Sequence, residues 1–159
     1  MPILWTALPL LLLLLNGCGT EAPEAPPKAA KVAPRPKPAD EARWFPKKDQ
    51  VSMTLIDDHA MGKDFLPGGN VARYKKGNKE YDLFLVKSTD NQSAALLTFD
   101  YKKTLQDAKL IPHFGGYFGK DTDGRPAFVF SKNAWFLGIV GLSEKEADAV
   151  AREFAGRLQ

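Results

Sequence analysis

Between Gly19 and Arg43 the chain carries Pro23, Pro26, Pro27, Pro34, Pro36 and Pro38, half of its twelve prolines, among alanines and charges with almost no large apolar side chain. Such a stretch cannot offset the entropy of ordering itself, and its prolines favour extended polyproline II geometry. It therefore confines any packed core to the residues that follow. The composition predicts a disordered Pro/Ala/charge-rich linker over 18–43 and a single folded domain over 44–159. At about 3.1 Å per residue, the linker would reach roughly 75 Å when extended, enough to lift a domain clear of a surface. Read instead as a PxxP ligand, it would need a proline-recognition domain as partner.

From Trp44 onward the composition is that of one globular domain, long enough for one core and too short for two. The clearest element is at the C-terminal end. Ser143-Glu144-Lys145-Glu146 has capping-box spacing, and Ala147, Val150, Ala151, Phe154 and Leu158 follow at helical spacing, which predicts an amphipathic helix. Phe128-Val129-Phe130 and Trp135 to Val140 flank Ser131-Lys132-Asn133-Ala134 as a hairpin. Val71 to Lys75 and Tyr81 to Lys87 form a second hairpin across Lys76-Gly77-Asn78-Lys79, and Val51 to Ile56 adds a strand. Gln92 to Leu105 fits a helix through Ala94, Leu97, Tyr101 and Leu105, with Asp90 or Asn91 as its cap, although Ala95 to Phe99 also fits a strand. The predicted class is α+β: an antiparallel sheet built from hairpins, with the helices packed on one face.

The first residues read as an export leader rather than as part of the fold. Ile3 to Leu15 are almost wholly apolar, with an unbroken leucine run from Leu10 to Leu15, and Leu15-Asn16-Gly17-Cys18 follows. This run is shorter than the about 20 residues a membrane-spanning helix needs. It resembles the signal peptide and lipobox of bacterial lipoproteins. The resemblance implies a signal peptide over 1–17 and a Cys18 that accepts a diacylglyceryl group, becomes the first mature residue and carries palmitate-type acyl chains. It also implies an envelope location, and Gly19 in place of aspartate points to the outer membrane, facing the periplasm, rather than the inner one. Two alternatives remain: cleavage after Gly19, which would release a secreted soluble protein, and an uncleaved anchor. Cys18 is the chain's single cysteine, so an internal disulfide is excluded and the thiol is either modified or free.

Downstream of the leader, few residues have chemistry-bearing patterns. Asp57-Asp58-His59 could supply acid, base or metal-ligand groups, but neighbours in extended chain face opposite sides, and His113 is the only other histidine. Asp121-Thr122-Asp123-Gly124 opens like a calcium loop, yet Lys132 stands where the bidentate glutamate belongs, which favours a turn. Leu66-Pro67-Gly68-Gly69 lacks the Lys-Ser/Thr of a phosphate loop and reads as a turn. His113-Phe114-Gly115-Gly116-Tyr117-Phe118-Gly119 interleaves rings with glycines, so His113, Phe114 and Tyr117 are the candidate binding residues for a sugar or peptide. The net charge of +3 shows no clustered basic face of the kind nucleic-acid binders carry.

These features predict a non-enzymatic envelope lipoprotein, held to the membrane through its N-terminal lipid, whose domain binds an envelope protein or glycan. The alternative is a small hydrolase or metal-dependent enzyme using Asp57, Asp58, His59 or His113. No cofactor or metal is called for by any motif, and oligomeric state is left open.

Overall fold

A computed structural model of the chain describes residues 35–159; the leader, Cys18 and the linker as far as residue 34 lie outside the described residues. Seven strands run in chain order: β1 (Gln50–Asp58), β2 (Pro67–Lys76), β3 (Lys79–Lys87), β4 (Gln106–Ile111), β5 (Gly116–Lys120), β6 (Pro126–Lys132) and β7 (Trp135–Val140). Helix α1 (Asn91–Lys102) separates β3 from β4, and α2 (Glu144–Arg157) follows β7. All the strands join one antiparallel sheet in the order β1-β2-β3-β7-β6-β5-β4. It consists of two meanders, β1 to β3 and β4 to β7, joined where β3 pairs with β7. The protein is therefore α+β.

The two helices lie on opposite faces of the sheet, which corrects the expectation that they share one. Leu83, Leu85, Phe128, Phe130, Leu137 and Ile139 point to the face covered by α2, where Ala147, Ala151, Phe154 and Leu158 meet them. The alternate residues Phe84, Val86, Ala127, Val129, Phe136 and Val140 point the other way, toward Tyr101 of α1. The reason is in the strand sequences. A sheet with one wet face alternates apolar and polar residues, whereas Leu83-Phe84-Leu85-Val86 and Ala127-Phe128-Val129-Phe130 are unbroken apolar runs that need cover on both sides.

Local chemistry sets the helix limits. Asp90 in extended conformation caps α1, its carboxylate accepting from the Ser93 N–H at 2.7 Å. At the start of α2 the Glu146 carboxylate accepts from the Ser143 N–H (3.3 Å) and hydroxyl (2.6 Å). Lys79 and Ser143 donating to Glu146 hold its carboxyl down at about 2.

Gly138 resolves a packing conflict at the centre of the sheet. It pairs with Phe84 of β3, whose ring lies across it: a Cβ on Gly138 would meet Phe84 Cε1 at 2.1 Å. The ring is thereby held within an aromatic cluster with Tyr101 (5.8 Å between centroids) and Phe136 (5.4 Å).

The last part of the proline-rich stretch packs on the sheet. Arg35 donates to Asp58 Oδ1 (2.8 Å) and to the carbonyls of Leu66 (2.8 Å) and Asp64 (3.1 Å). Buried Asn70 of β2 accepts from the Glu41 N–H (2.8 Å) and donates to Asp40 Oδ1 (2.9 Å). Glu41 is itself buried and accepts from Trp44 Nε1 at 3.1 Å. Phe45 then enters the core against Phe154, with ring centroids 4.9 Å apart. Residues 35–45 thus continue the cover that α2 provides on this face.

The sequence pattern predicts no strand over Gln106–Ile111, yet β4 forms there. It is an edge strand, exposed along all but Ile111, with a register shift between Gln106 and Lys109 and a positive φ at Asp107. Exposure on both faces removes the alternation by which a strand is read.

Candidate functional site

β4, the turn after it and the first half of α2 enclose a cleft of about 530 Å³. Its floor is apolar, formed by Ile111, Pro112 and Phe128; Leu110 borders it on the edge strand, with its side chain on the Tyr117 face of the sheet. The rim is charged and tied across the cleft. Lys109 of β4 donates to both carboxylate oxygens of Glu144 on α2 (2.9 and 3.2 Å). His113 Nε2 pairs with Asp148 of α2, which also accepts from Arg152 Nε at 2.8 Å. Arg152 and then His113 hold the Asp148 carboxyl below the usual carboxylate range.

Phe114 fixes the position of this turn. Its ring packs on Phe130 (4.7 Å between centroids) and Phe128 (5.3 Å), and the His113 ring lies 4.9 Å from it. An aromatic anchor in the core thus presents the imidazole to the rim. An apolar floor with a few placed polar groups is the usual make-up of a binding cleft. Among the described residues its lining includes no Ser, Thr or Cys.

Of the candidate binding residues, His113 and Phe114 are brought together and Tyr117 is not. Tyr117 packs with the α1-side core, and Lys102 Nζ sits 4.9 Å from its ring centroid. Glu144 and Asp148 complete the cleft and were not legible as site residues. Nothing local marks them, because the cleft is made by a helix and a strand over thirty residues apart in sequence.

The Asp57, Asp58, His59 and His113 group does not converge. Asp57 faces Lys37 at 3.6 Å, while Asp58 pairs with Arg35 at 2.8 Å and with the adjacent His59 at 3.5 Å. Burial raises the Asp58 carboxyl, but hydrogen bonds from the His59 N–H and Arg35 outweigh it and leave the group lowered. His59 lines a separate cleft with Ser52, Thr54 and Arg73, so it shares no cavity with His113. Among the described residues no group of three or more His, Cys, Asp or Glu side chains could hold a metal ion.

Asp121 has a structural use that the turn reading missed. Its buried carboxylate accepts from Lys63 Nζ (2.5 Å) and from the Tyr101 hydroxyl (2.6 Å), and Lys63 also donates to Thr122 Oγ1 (2.9 Å). Burial opposes its ionisation, yet the Lys63 and Tyr101 bonds prevail and its pKa stays lowered; burial and the same carboxylate push the Tyr101 phenol up. The cluster ties the loop after β1 to α1 and to the β5–β6 turn. Gly124 closes that turn with an N–H bond to the Asp121 carbonyl (2.8 Å). Gly68 and Gly69 are not in the turn read from the sequence but in β2, where a Cβ would meet the Asp57 and Leu85 carbonyl oxygens at 2.2 and 2.4 Å.

Compared with protein-family models, curated proteins and solved structures, the chain matches none of them.

Proposed function

We propose that this chain is a bacterial envelope lipoprotein, lipidated on Cys18 and facing the periplasm from the outer membrane, whose domain binds another envelope component without catalysis. The observation that carries the anchor is the sequence Leu15-Asn16-Gly17-Cys18 after an apolar run too short to span a bilayer. Among the described residues no helix is long and apolar enough to cross a membrane, so they offer no helical alternative to that anchor. The β4–α2 cleft supports the binding reading, with an apolar floor for a peptide side chain or sugar face and Lys109, His113 and Glu144 placed to orient it.

The test is affinity capture from envelopes with the intact protein, a Cys18→Ser variant and a Lys109→Glu variant. Lys109→Glu reverses a charge on the cleft rim opposite Glu144 at an exposed position, so it spares the core. The reading expects a partner that is captured by the intact chain, lost with Lys109→Glu, and recovered only after solubilisation with Cys18→Ser. Equal capture by the intact and Lys109→Glu proteins removes the cleft from this reading.

A further inference from the structure

Helix α1 leaves two large apolar side chains turned away from the sheet. It buries Ala94, Thr98 and Tyr101, yet Leu96 is 57% exposed and Phe99 47%. These two stand three positions apart, hence on one face, beside exposed Ala95 and one turn before Lys102 and Lys103. The Lys102 and Lys103 ammonium groups lie 5.4 and 4.9 Å from the Phe99 ring centroid. Scattered exposed apolar residues need no explanation, but a leucine and a phenylalanine side by side, bordered by lysines, have the make-up of an interfacial helix face.

We propose that this face of α1 rests on an anionic phospholipid bilayer, with Leu96 and Phe99 entering the headgroup boundary and Lys102 and Lys103 meeting lipid phosphates. The proposal rests on the reading that Cys18 is lipidated, which keeps the domain beside a membrane. Two arguments favour a bilayer over a protein partner. First, residues 19–34 span at most about 50 Å when extended, while a domain of this size has a radius of gyration of about 14 Å, so the tether lets this face reach the surface it is anchored to. Second, Lys102 and Lys103 outnumber the one carboxylate beside them, Asp100, which accepts from Lys103 at 2.7 Å, so the face complements anionic headgroups, whereas a second copy of α1 would set lysines against lysines. Near an anionic surface each lysine shifts the docked-to-free ratio about fivefold.

The full-length lipidated protein carrying Ala95→Cys tests this, because lipidation leaves the introduced thiol as the one free to label. A bimane placed there is read on phosphatidylcholine vesicles with and without phosphatidylglycerol, against Ala149→Cys on the exposed side of α2. Position 95 is expected to shift to the blue and resist acrylamide quenching only with phosphatidylglycerol, while position 149 stays aqueous on both. Lys102→Glu with Lys103→Glu should return position 95 to its aqueous value. Equal aqueous signals at 95 and 149, from protein that survives a high-salt wash on the vesicles, overturn the proposal and leave the anchor standing. Protein that washes off neutral vesicles with a free Cys18 thiol overturns both. Protection at 95 that grows with protein concentration in the absence of vesicles assigns the face to a second copy instead.

Discussion

Single residues decide stability here where a buried polar group or a close approach admits one solution. Asp121 is the clearest case, a buried carboxylate held by Lys63 and Tyr101. Removing one partner of such a pair leaves the other uncompensated, so Asp121→Asn should cost about 3 kcal/mol at neutral pH in a denaturant titration. The sign of its pH dependence follows from the lowered pKa. A depressed carboxylate contributes its stability above its unfolded pKa, about 3.9, and loses it as the pH falls through the folded value. The native protein should therefore lose this increment below about pH 4, and Asp121→Asn should show a flatter profile across that window. At Gly138 the expectation is overpacking. Gly138→Ala drives a Cβ into the Phe84 ring and should cost about 3 kcal/mol. Combining it with Phe84→Leu should cost less than the sum of the single changes, a coupling that a double-mutant cycle measures directly.

At the scale of elements, the sequence was legible where periodicity and caps agree. Ser143 with Glu146, followed by Ala147, Ala151 and Phe154, marks α2, and Asp90 marks the start of α1. The central strands were legible as strands, but their unbroken apolar runs also said that both faces are covered, and the single-face arrangement overlooked this. β4 was not legible, since an exposed, bulged edge has no periodicity, and with it went half of the candidate cleft. His113 and Phe114 could be picked out by composition, whereas Tyr117 was grouped with them by proximity in sequence, although it packs with the α1-side core. The packing of residues 35–45 depends on Asn70, which lies far along the chain from the residues it binds. Asn70→Ala leaves the Glu41 N–H without its partner and should cost about 1 to 3 kcal/mol. Hydrogen exchange should then show faster amides over residues 40–45, with little change in α2. Unchanged protection there would mean that Glu41 and Phe45 hold the segment without Asn70.

At the scale of the whole molecule, the proposed lipid anchor and tether would hold a domain whose cleft and α1 face would serve different ligands. The lone cysteine means that the domain, with no disulfide of its own, is held by its two apolar cores on either side of the sheet. The packed end of the proline-rich stretch shortens the tether from the 18–43 of the sequence reading to residues that stop before Arg35. Reach is thereby reduced, while the point from which the domain hangs becomes a defined place beside the end of β1. The cleft between β4 and α2 would take the envelope partner, and the outer face of α1 would meet lipid. Lipid contact by α1 requires that the chain be held at a membrane, and the lipid proposed on Cys18, the central claim, would also bring the cleft to a partner in the envelope. Its most direct test is the mass of the N-terminal peptide from the native protein, together with its partition between detergent and water. The native chain should begin at Cys18, carry a diacylglyceryl thioether and enter the detergent phase, and the Cys18→Ser variant should show neither that N-terminus nor the thioether. A native chain recovered from the aqueous phase with an unmodified Cys18 thiol would contradict this expectation.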